Sequence, residues 1–499
     1  MKTNTLEFDA QALREKILDL AMRGKLVPQD PNDEPASVLL KKIKAEKEKL
    51  IKEKKIKKSK PLAPISDNEK PFDIPDSWEW VRLGDAANFI GTGMVVPSSQ
   101  QYKDLEDETM TPYFKMNNIG NWNGEFDLTN IVYIKKNEKV DKYLISSDEL
   151  LFNTRNSREL VGKTTVVPTI NKRIVANNNI LRITTFGNIQ TKFLNYILIS
   201  PYGKNLFFNL TTATTNVAAI YQKQLREIMI PLPPLEEQSR IAAKIAQLFA
   251  LLRKVESSTQ QYAKLQTLLK SKVLDLAMRG KLVEQDTHDE PASVLLEKIK
   301  AEKAEIVKEK KIKKSKPLPP ITDEEKPFDI PDSWEWVRLG DVYHFVDYRG
   351  KTPHKISSGI RLITAKNVRN GYIKLEPEEF ISLEEHKERS TRGLINKGDI
   401  FITTEAPMGL VALNNFDEPI ATAQRLITLQ KVSKYQDSSF AAFQMQSSFF
   451  QKELQQKATG STVKGIKASN LKQVLILIPP LAEQRRTVKK ISQVLKLLK

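Results

Sequence analysis

The chain of 499 residues contains no cysteine and only four histidines. Without cysteine there is no disulfide and no thiolate metal site, and a reducing compartment is the natural setting. His288, His344, His354 and His386 show no metal-ligand spacing and no cysteine partners. Long apolar runs are missing as well. No stretch reaches the roughly 18 residues of a membrane span, and Met1 to Ala10 lacks the apolar core of a signal peptide, so a cytoplasmic location is expected.

Enzyme signatures are equally scarce. There is no Gly-x-Gly-x-x-Gly after a strand and no phosphate-binding Gly-Lys-Ser/Thr loop. The Pro-Pro pairs are followed by Leu or Ile, so the Asn/Asp-Pro-Pro-aromatic motif of an adenine methyltransferase is absent. A carboxylate-x-Lys nuclease signature could be forced only onto Glu309-Lys310-Lys311, inside a lysine-rich helix better read as a solvated face. What the chain has in excess is positive charge. Its 79 Lys and Arg against 61 Asp and Glu give a net +18 and favour a polyanionic partner, nucleic acid first and an anionic membrane surface second.

The sequence is also repetitive. Residues 17–85 return as residues 273–341 without a gap, and 57 of the 69 positions are identical. A weaker match pairs Pro233-Pro234-Leu235-Glu236-Glu237-Gln238 with Pro479-Pro480-Leu481-Ala482-Glu483-Gln484. Between these pieces lie Ala86–Pro231 and Val342–Ile478, which share only a faint skeleton such as Val217-Ala218-Ala219-Ile220 against Val463-Lys464-Gly465-Ile466. One framework is duplicated, and it carries two divergent inserts.

The framework's main element is a helix expected from about Glu236 to Val283. Ile241, Ile245, Leu248, Leu252, Val255, Thr259, Tyr262, Gln266, Leu269, Val273 and Leu276 follow an unbroken 4-3 alternation, the seam of a helix that packs against one partner helix. The alignment of the chain's tail and head with this helix makes a second copy in two pieces, Glu483 to Lys499 and roughly Phe8 to Met22. Antiparallel pairing of the two copies would give an approximate two-fold axis with one insert at each end. After each Arg-Gly-Lys-Leu-Val stop comes a lysine-rich helix; Lys41 to Lys60 holds 11 Lys against 3 Glu. An extended, Pro-rich linker follows, and then Trp-Glu-Trp-Val-Arg-Leu-Gly-Asp opens each insert as an alternating strand.

Within the inserts, short β-like runs alternate with weak helices, so each reads as a mixed α/β domain of roughly 150 residues. Strands are expected at Ile131–Ile134, Glu149–Phe152, Thr164–Val167 and Ile180–Thr184, and at Arg361–Thr364, Asp399–Thr403 and Ile427–Leu429. Helices are expected at Lys192–Leu198 and Phe440–Gln456. Polar and basic residues at loop-like positions supply candidate base contacts, because Arg and Lys match guanine edges and Asn matches adenine. In the first insert these are Lys115, Asn117, Asn118, Asn153, Arg155, Asn156, Arg158, Lys163, Asn177 and Asn178. In the second they are Arg349, Lys351, Lys366, Asn367, Arg369, Arg425, Lys464 and Lys467.

The repeated Pro-Pro-Leu-x-Glu-Gln, the Leu-Asp-Leu-Ala-Met-Arg-Gly-Lys-Leu-Val stop and the Trp-Glu-Trp-Val-Arg-Leu-Gly-Asp start resemble specificity (S) subunits of type I restriction–modification systems. Glu149-Leu-Leu-Phe-Asn-Thr-Arg155 and Gly398-Asp399-Ile400-Phe401 are similar to that family's Gly-Asp-Ile-Leu-Phe stretch. The resemblance covers essentially the whole chain. It implies an N-terminal helical region (1–77), a target-recognition domain (78–232), a central helical region (233–333), a second target-recognition domain (334–478) and a C-terminal helix (479–499). The implied protein is non-catalytic and binds no cofactor of its own. It reads a bipartite double-stranded DNA site and docks two modification (methyltransferase) subunits, which bring S-adenosylmethionine. Restriction (translocase/endonuclease) subunits join that core, and the helix seam serves as the docking element. The competing class is a non-specific nucleic-acid-binding coiled-coil adaptor, which leaves two elaborate, divergent inserts without a purpose. A third class, an enzyme with a scattered site, requires an activity from the isolated chain.

Overall fold

The computed structural model describes residues 8–135, 138–187, 189–213, 217–348, 352–390, 393–423, 425–460 and 464–498. The chain divides into two compact units, and the division falls between Thr259 and Gln260, inside the central helix. That helix runs uninterrupted from Leu235 to Met278, 44 residues or about 66 Å at 1.5 Å per residue. With Pro233-Pro234 at its entrance and no Gly or Pro inside it, nothing in the sequence breaks it before the Arg279-Gly280 stop.

The unit ending at Thr259 is built on a four-stranded antiparallel sheet ordered Ala87–Thr92, Ile180–Thr185, Leu150–Asn153, Thr164–Val166. Beside it, Thr111–Phe114 pairs antiparallel with Val132–Ile134 and parallel with Val175–Ala176. The unit beginning at Gln260 repeats this plan in unrelated sequence. Tyr343–Asp347, Leu426–Lys431, Ile400–Thr403 and Val411–Leu413 form the four-stranded sheet. Ile360–Ile363 likewise pairs antiparallel with Phe380–Ile381 and parallel with Ile420–Thr422. The expected strands lie within a residue or two of these. The expected helix Phe440–Gln456 is two helices, Ser438–Met445 and Ser448–Gln456, because Ser447 turns to extended backbone between them and donates its hydroxyl back to Gln444 O at 2.6 Å.

Each insert starts and finishes on the same ladder. Glu79–Arg82 pairs antiparallel with Met229–Leu232, and Glu335–Arg338 with Leu475–Ile478. The repeated Trp and Pro-Pro-Leu-x-Glu-Gln motifs explain themselves here. Trp78 Nε1 donates to Glu237 Oε2 at 2.9 Å, and Gln29 Nε2 donates to the other carboxylate oxygen. In the second unit Trp334 Nε1 donates to Glu483 Oε2 at 2.9 Å, joined by Gln285 Nε2. Both carboxyls are buried, and burial raises their pKa values. The Gln neighbours cap each junction: Gln238 Nε2 donates to Pro233 O at 3.0 Å, and Gln484 Nε2 to Pro479 O at 2.8 Å. Gly24 and Gly280 both sit at φ +66°, where a Cβ would collide with the rings of Pro75 and Pro331, so each helix stop requires glycine.

The lysine-rich helices are Ala36–Lys52 and Ala292–Lys308. Each buries a thin stripe, Leu39 and Ile43 in one and Leu295, Leu296 and Ile299 in the other, on the core of the domain that follows it. Most of their lysines face solvent. The head helix, Ala10–Met22, joins the first core through Leu18, Ala21 and Met22; the tail helix, Leu481–Leu497, joins the second through Ile491.

Candidate nucleic-acid interface

Both domains make the same three-way backbone crossing at the end of a sheet strand. In the first, Thr154 N donates to Asn179 O at 2.8 Å, and Thr154 O accepts from Ile220 N at 3.0 Å. In the second, Thr404 N donates to Arg425 O at 2.8 Å, and Thr404 O accepts from Ile466 N at 2.9 Å. The faint Val217–Ile220 likeness in the sequence marks one arm of this crossing. Backbone bonds hold the geometry, so the side chains around it are free to differ.

A cleft opens at each crossing. In the first domain it encloses about 270 Å³ and is lined by Arg155, Asn178, Asn179, Tyr221 and Gln222 among others. In the second it is larger, about 1120 Å³, and brings together Lys366, Arg369, Glu405, Arg425 and Lys467. Four of the candidate contacts of the second insert thus share one cleft, and two of the first insert, Arg155 and Asn178, share the other. The cation balance differs between them. Lys355 is neutralised by Glu379 at 2.7 Å, and Arg369 Nη1 donates to Lys366 O at 2.9 Å and Val368 O at 2.8 Å. Arg425 is held through Nε by Glu405 Oε1 at 3.0 Å. The side-chain amines of Lys366 and Lys467 have no protein partner among the described residues.

The remaining candidates are dispersed. Asn118 and Asn367 are buried turn-formers whose Oδ1 atoms accept from Lys115 N at 2.9 Å and Thr364 N at 3.1 Å. Asn153 is fully buried and donates to Leu160 O at 3.2 Å. Asn177 is buried and donates to Tyr113 Oη at 2.8 Å. Lys163 is buried, donates to Ile119 O at 2.8 Å and to Asn121 Oδ1 at 3.2 Å, and has its pKa lowered by burial. These side chains shape turns inside the domain. Lys115 is half-buried and donates to Gln101 Oε1 at 2.9 Å; half-buried Asn156 accepts from Ser157 N at 2.9 Å. Asn117 and Lys464 are exposed, and exposed Arg158 stacks its guanidinium 3.9 Å above the Phe208 ring. Arg349 and Lys351 lie outside the described residues. Sequence reasoning missed Asn179, Tyr221 and Glu405, whose place in the clefts follows only from the pairing at Thr154 and Thr404.

Along the central helix the seam changes character. Ile241, Ile245 and Val273 are buried, while Leu248, Leu252 and Leu276 are half-buried. Val255, Tyr262 and Leu269 are exposed, and so are Leu251, Leu265 and Leu268, the last at 65%. Among the described residues no group of His, Asp and Glu is placed to hold a metal ion, and no helix is long and apolar enough to cross a membrane.

The comparisons with known proteins agree with this architecture. The family described as "Type I restriction modification DNA specificity domain" matches residues 75–266 and 331–499. The chain is 33% identical to the type I restriction enzyme EcoAI specificity subunit of Escherichia coli, over 98% of this chain and 89% of that protein. It is 29% identical to the EcoEI specificity subunit of the same organism over the same shares. A solved chain from a study of complex assembly and conformational transition of the type I R-M system is 20% identical, covers 86% of this chain and 92% of its own length, and superposes with a TM-score of 0.55, a likeness of fold. Two matched segments, each spanning one insert and the helix that follows it, place this chain in the family of type I restriction–modification DNA specificity subunits.

Proposed function

We propose that the chain is the DNA-reading, non-catalytic subunit of a type I restriction–modification complex and that each cleft takes one half of a bipartite site. The observation that carries this reading is the repeated crossing at Thr154 and Thr404: one scaffold, two different sets of side chains. A non-specific adaptor would have no use for that difference. Exposed Arg155, Lys366, Arg425 and Lys467 and half-buried Asn178 belong to the reading surface, and the solvated lysines of Ala36–Lys52 and Ala292–Lys308 suit phosphate contacts.

The central helix is the spacer between two reading domains, bounded as 78–232 and 334–478. Its partner in an antiparallel, pseudo-two-fold pair is the split helix formed by head and tail. Two contacts support this, one in each unit: Arg14 forms an ion pair with Glu256, and Gln266 Nε2 donates to Leu498 O. The exposed apolar residues Leu251, Tyr262, Leu265 and Leu268 await cover, which two modification subunits would supply. S-adenosylmethionine belongs to those subunits, restriction subunits complete the assembly, and the cytoplasm is its setting.

The test is methyl transfer. The isolated chain is expected to transfer no methyl group from labelled S-adenosylmethionine to DNA, and addition of its modification subunit is expected to give methylation at one bipartite motif. Transfer by the isolated chain, or methylation without a motif, would overturn the reading.

A further inference from the structure

The two clefts are equivalent position by position, and that equivalence singles out one residue in each. Backbone pairing aligns Thr154 with Thr404, Asn179 with Arg425 and Ile220 with Ile466. The residues that follow or occupy these points are Arg155, Asn179 and Tyr221 in the first domain, and Glu405, Arg425 and Lys467 in the second. The residue at the middle point stands at the entry to one of the two inner strands of its sheet, Ile180–Thr185 or Leu426–Lys431. Its carbonyl is fixed by the Thr amide, so its backbone cannot drift while its side chain stays in the cleft.

We propose that this is the base-reading position of each domain, Asn179 for an adenine and Arg425 for a guanine. The assignment rests on the reading of the chain as a DNA specificity subunit. Arg425 has the preparation that bidentate guanine recognition needs. Glu405 Oε1 lies 3.0 Å from its Nε in an ion pair, on the side of the guanidinium away from the terminal nitrogens. The two terminal nitrogens have no protein partner among the described residues, so the fork is open to accept O6 and N7 of a guanine. Its backbone is held at φ +59°, in the left-handed region that non-glycine residues rarely occupy without a structural demand. Asn179 has the matching chemistry for adenine. Its backbone N and O are both used, by Asn177 Oδ1 at 2.7 Å and by Thr154 N, while its side-chain amide has no partner among the described residues. An amide that both donates and accepts fits N6 and N7 of adenine.

The experiment is motif sequencing of methylated DNA from cells that make the full chain with its modification subunit. Arg425→Asn is the informative variant, because Asn tolerates the left-handed backbone that this position requires. One position of one half-site is expected to lose its guanine, with methylation at guanine-bearing sites falling roughly 5- to 150-fold relative to the new or degenerate base. The other half-site and the spacing should hold. Arg425→Lys, which keeps the charge and loses the fork, should also relax that position. Asn179→Arg should act on an adenine of the opposite half-site. Continued methylation of the original motif by both Arg425 variants would overturn the assignment, and so would a full motif in Arg425→Lys beside uniform loss in Arg425→Asn, which marks a phosphate contact. If the unmodified complex gave no bipartite motif, the specificity-subunit reading itself would fall, a result distinguishable from failure at these two positions alone.

Discussion

Asp399 shows how two copies of one fold solve the same electrostatic problem differently. Strand register makes it the counterpart of Glu149, and makes Thr428 the counterpart of Arg182. Glu149 is buried and receives both Arg182 Nε at 2.8 Å and Nη2 at 2.6 Å, a bidentate pair that keeps both charges satisfied. Asp399 is as deeply buried but has a threonine where the arginine would be, and burial pushes its pKa up to about 6. A carboxyl whose folded pKa lies above its unfolded value favours folding below the unfolded value and loses that contribution as pH rises through the folded one. The second domain should therefore weaken between about pH 4 and pH 6 on account of Asp399. Among the described residues only Oδ2 of Asp399 accepts hydrogen bonds, from Asn396 N at 2.8 Å and Gln430 Nε2 at 2.6 Å, so an asparagine can keep both. Asp399→Asn is expected to stabilise the domain by about 1–3 kcal/mol at pH 7.5 and to make no difference below pH ~4. Denaturant melts at the two pH values decide it; equal gains at both would refute the charge as the cause.

At the scale of the element, the central helix carries two separable properties. Its ends belong to the domain cores, Ile241, Ile245 and Phe249 in one and Val273, Leu274 and Ala277 in the other, while its middle exposes leucines. The 4-3 spacing made the helix legible in sequence, but spacing records which residues share a face and not what covers it. That is why Tyr262 and Leu269 belong to the same seam as Ile241 yet lie in the open. Serine at Leu265 and Leu268 should leave the melting of the isolated chain nearly unchanged and weaken binding of the modification subunit about tenfold or more, roughly 1.4 kcal/mol. Calorimetric titration reads this directly, and undiminished binding would place the docking surface elsewhere. Length is the second property. Four residues added near Thr259 lengthen the helix by about 6 Å and nearly preserve its phase. The methylated motif is then expected to keep both half-sites and gain one or two spacer base pairs, at about 3.4 Å each. Unchanged spacing would show that this helix is not the ruler.

For the whole molecule, the framework was readable because it is written twice, whereas the clefts were not. Their walls come from segments more than 60 residues apart, Arg155 and Tyr221 for example, and no spacing rule joins them. Asparagines that looked available, such as Asn153 and Asn367, proved to be turn-formers, since a side chain that bonds its own backbone reads in sequence like one that is free. The duplicated plan also predicts independence. Replacing Ala86–Pro231 with another domain of the family should change one half-site and leave the other intact, and motif sequencing in which both halves changed together would contradict it.

The ladders that open and close each insert, Glu79–Arg82 with Met229–Leu232 and Glu335–Arg338 with Leu475–Ile478, bear on how such a protein can change over generations. Entry and exit strands lie side by side, so an incoming domain joins its host at that short doorway and has otherwise only to fit the framework helices packed on its core. A genetic exchange with its breakpoints in the Trp-Glu-Trp-Val and Pro-Pro-Leu coding stretches would deliver a folded newcomer in a single event. New target sites would then arise by substitution of whole words, while the grammar that sets their distance stayed as it was.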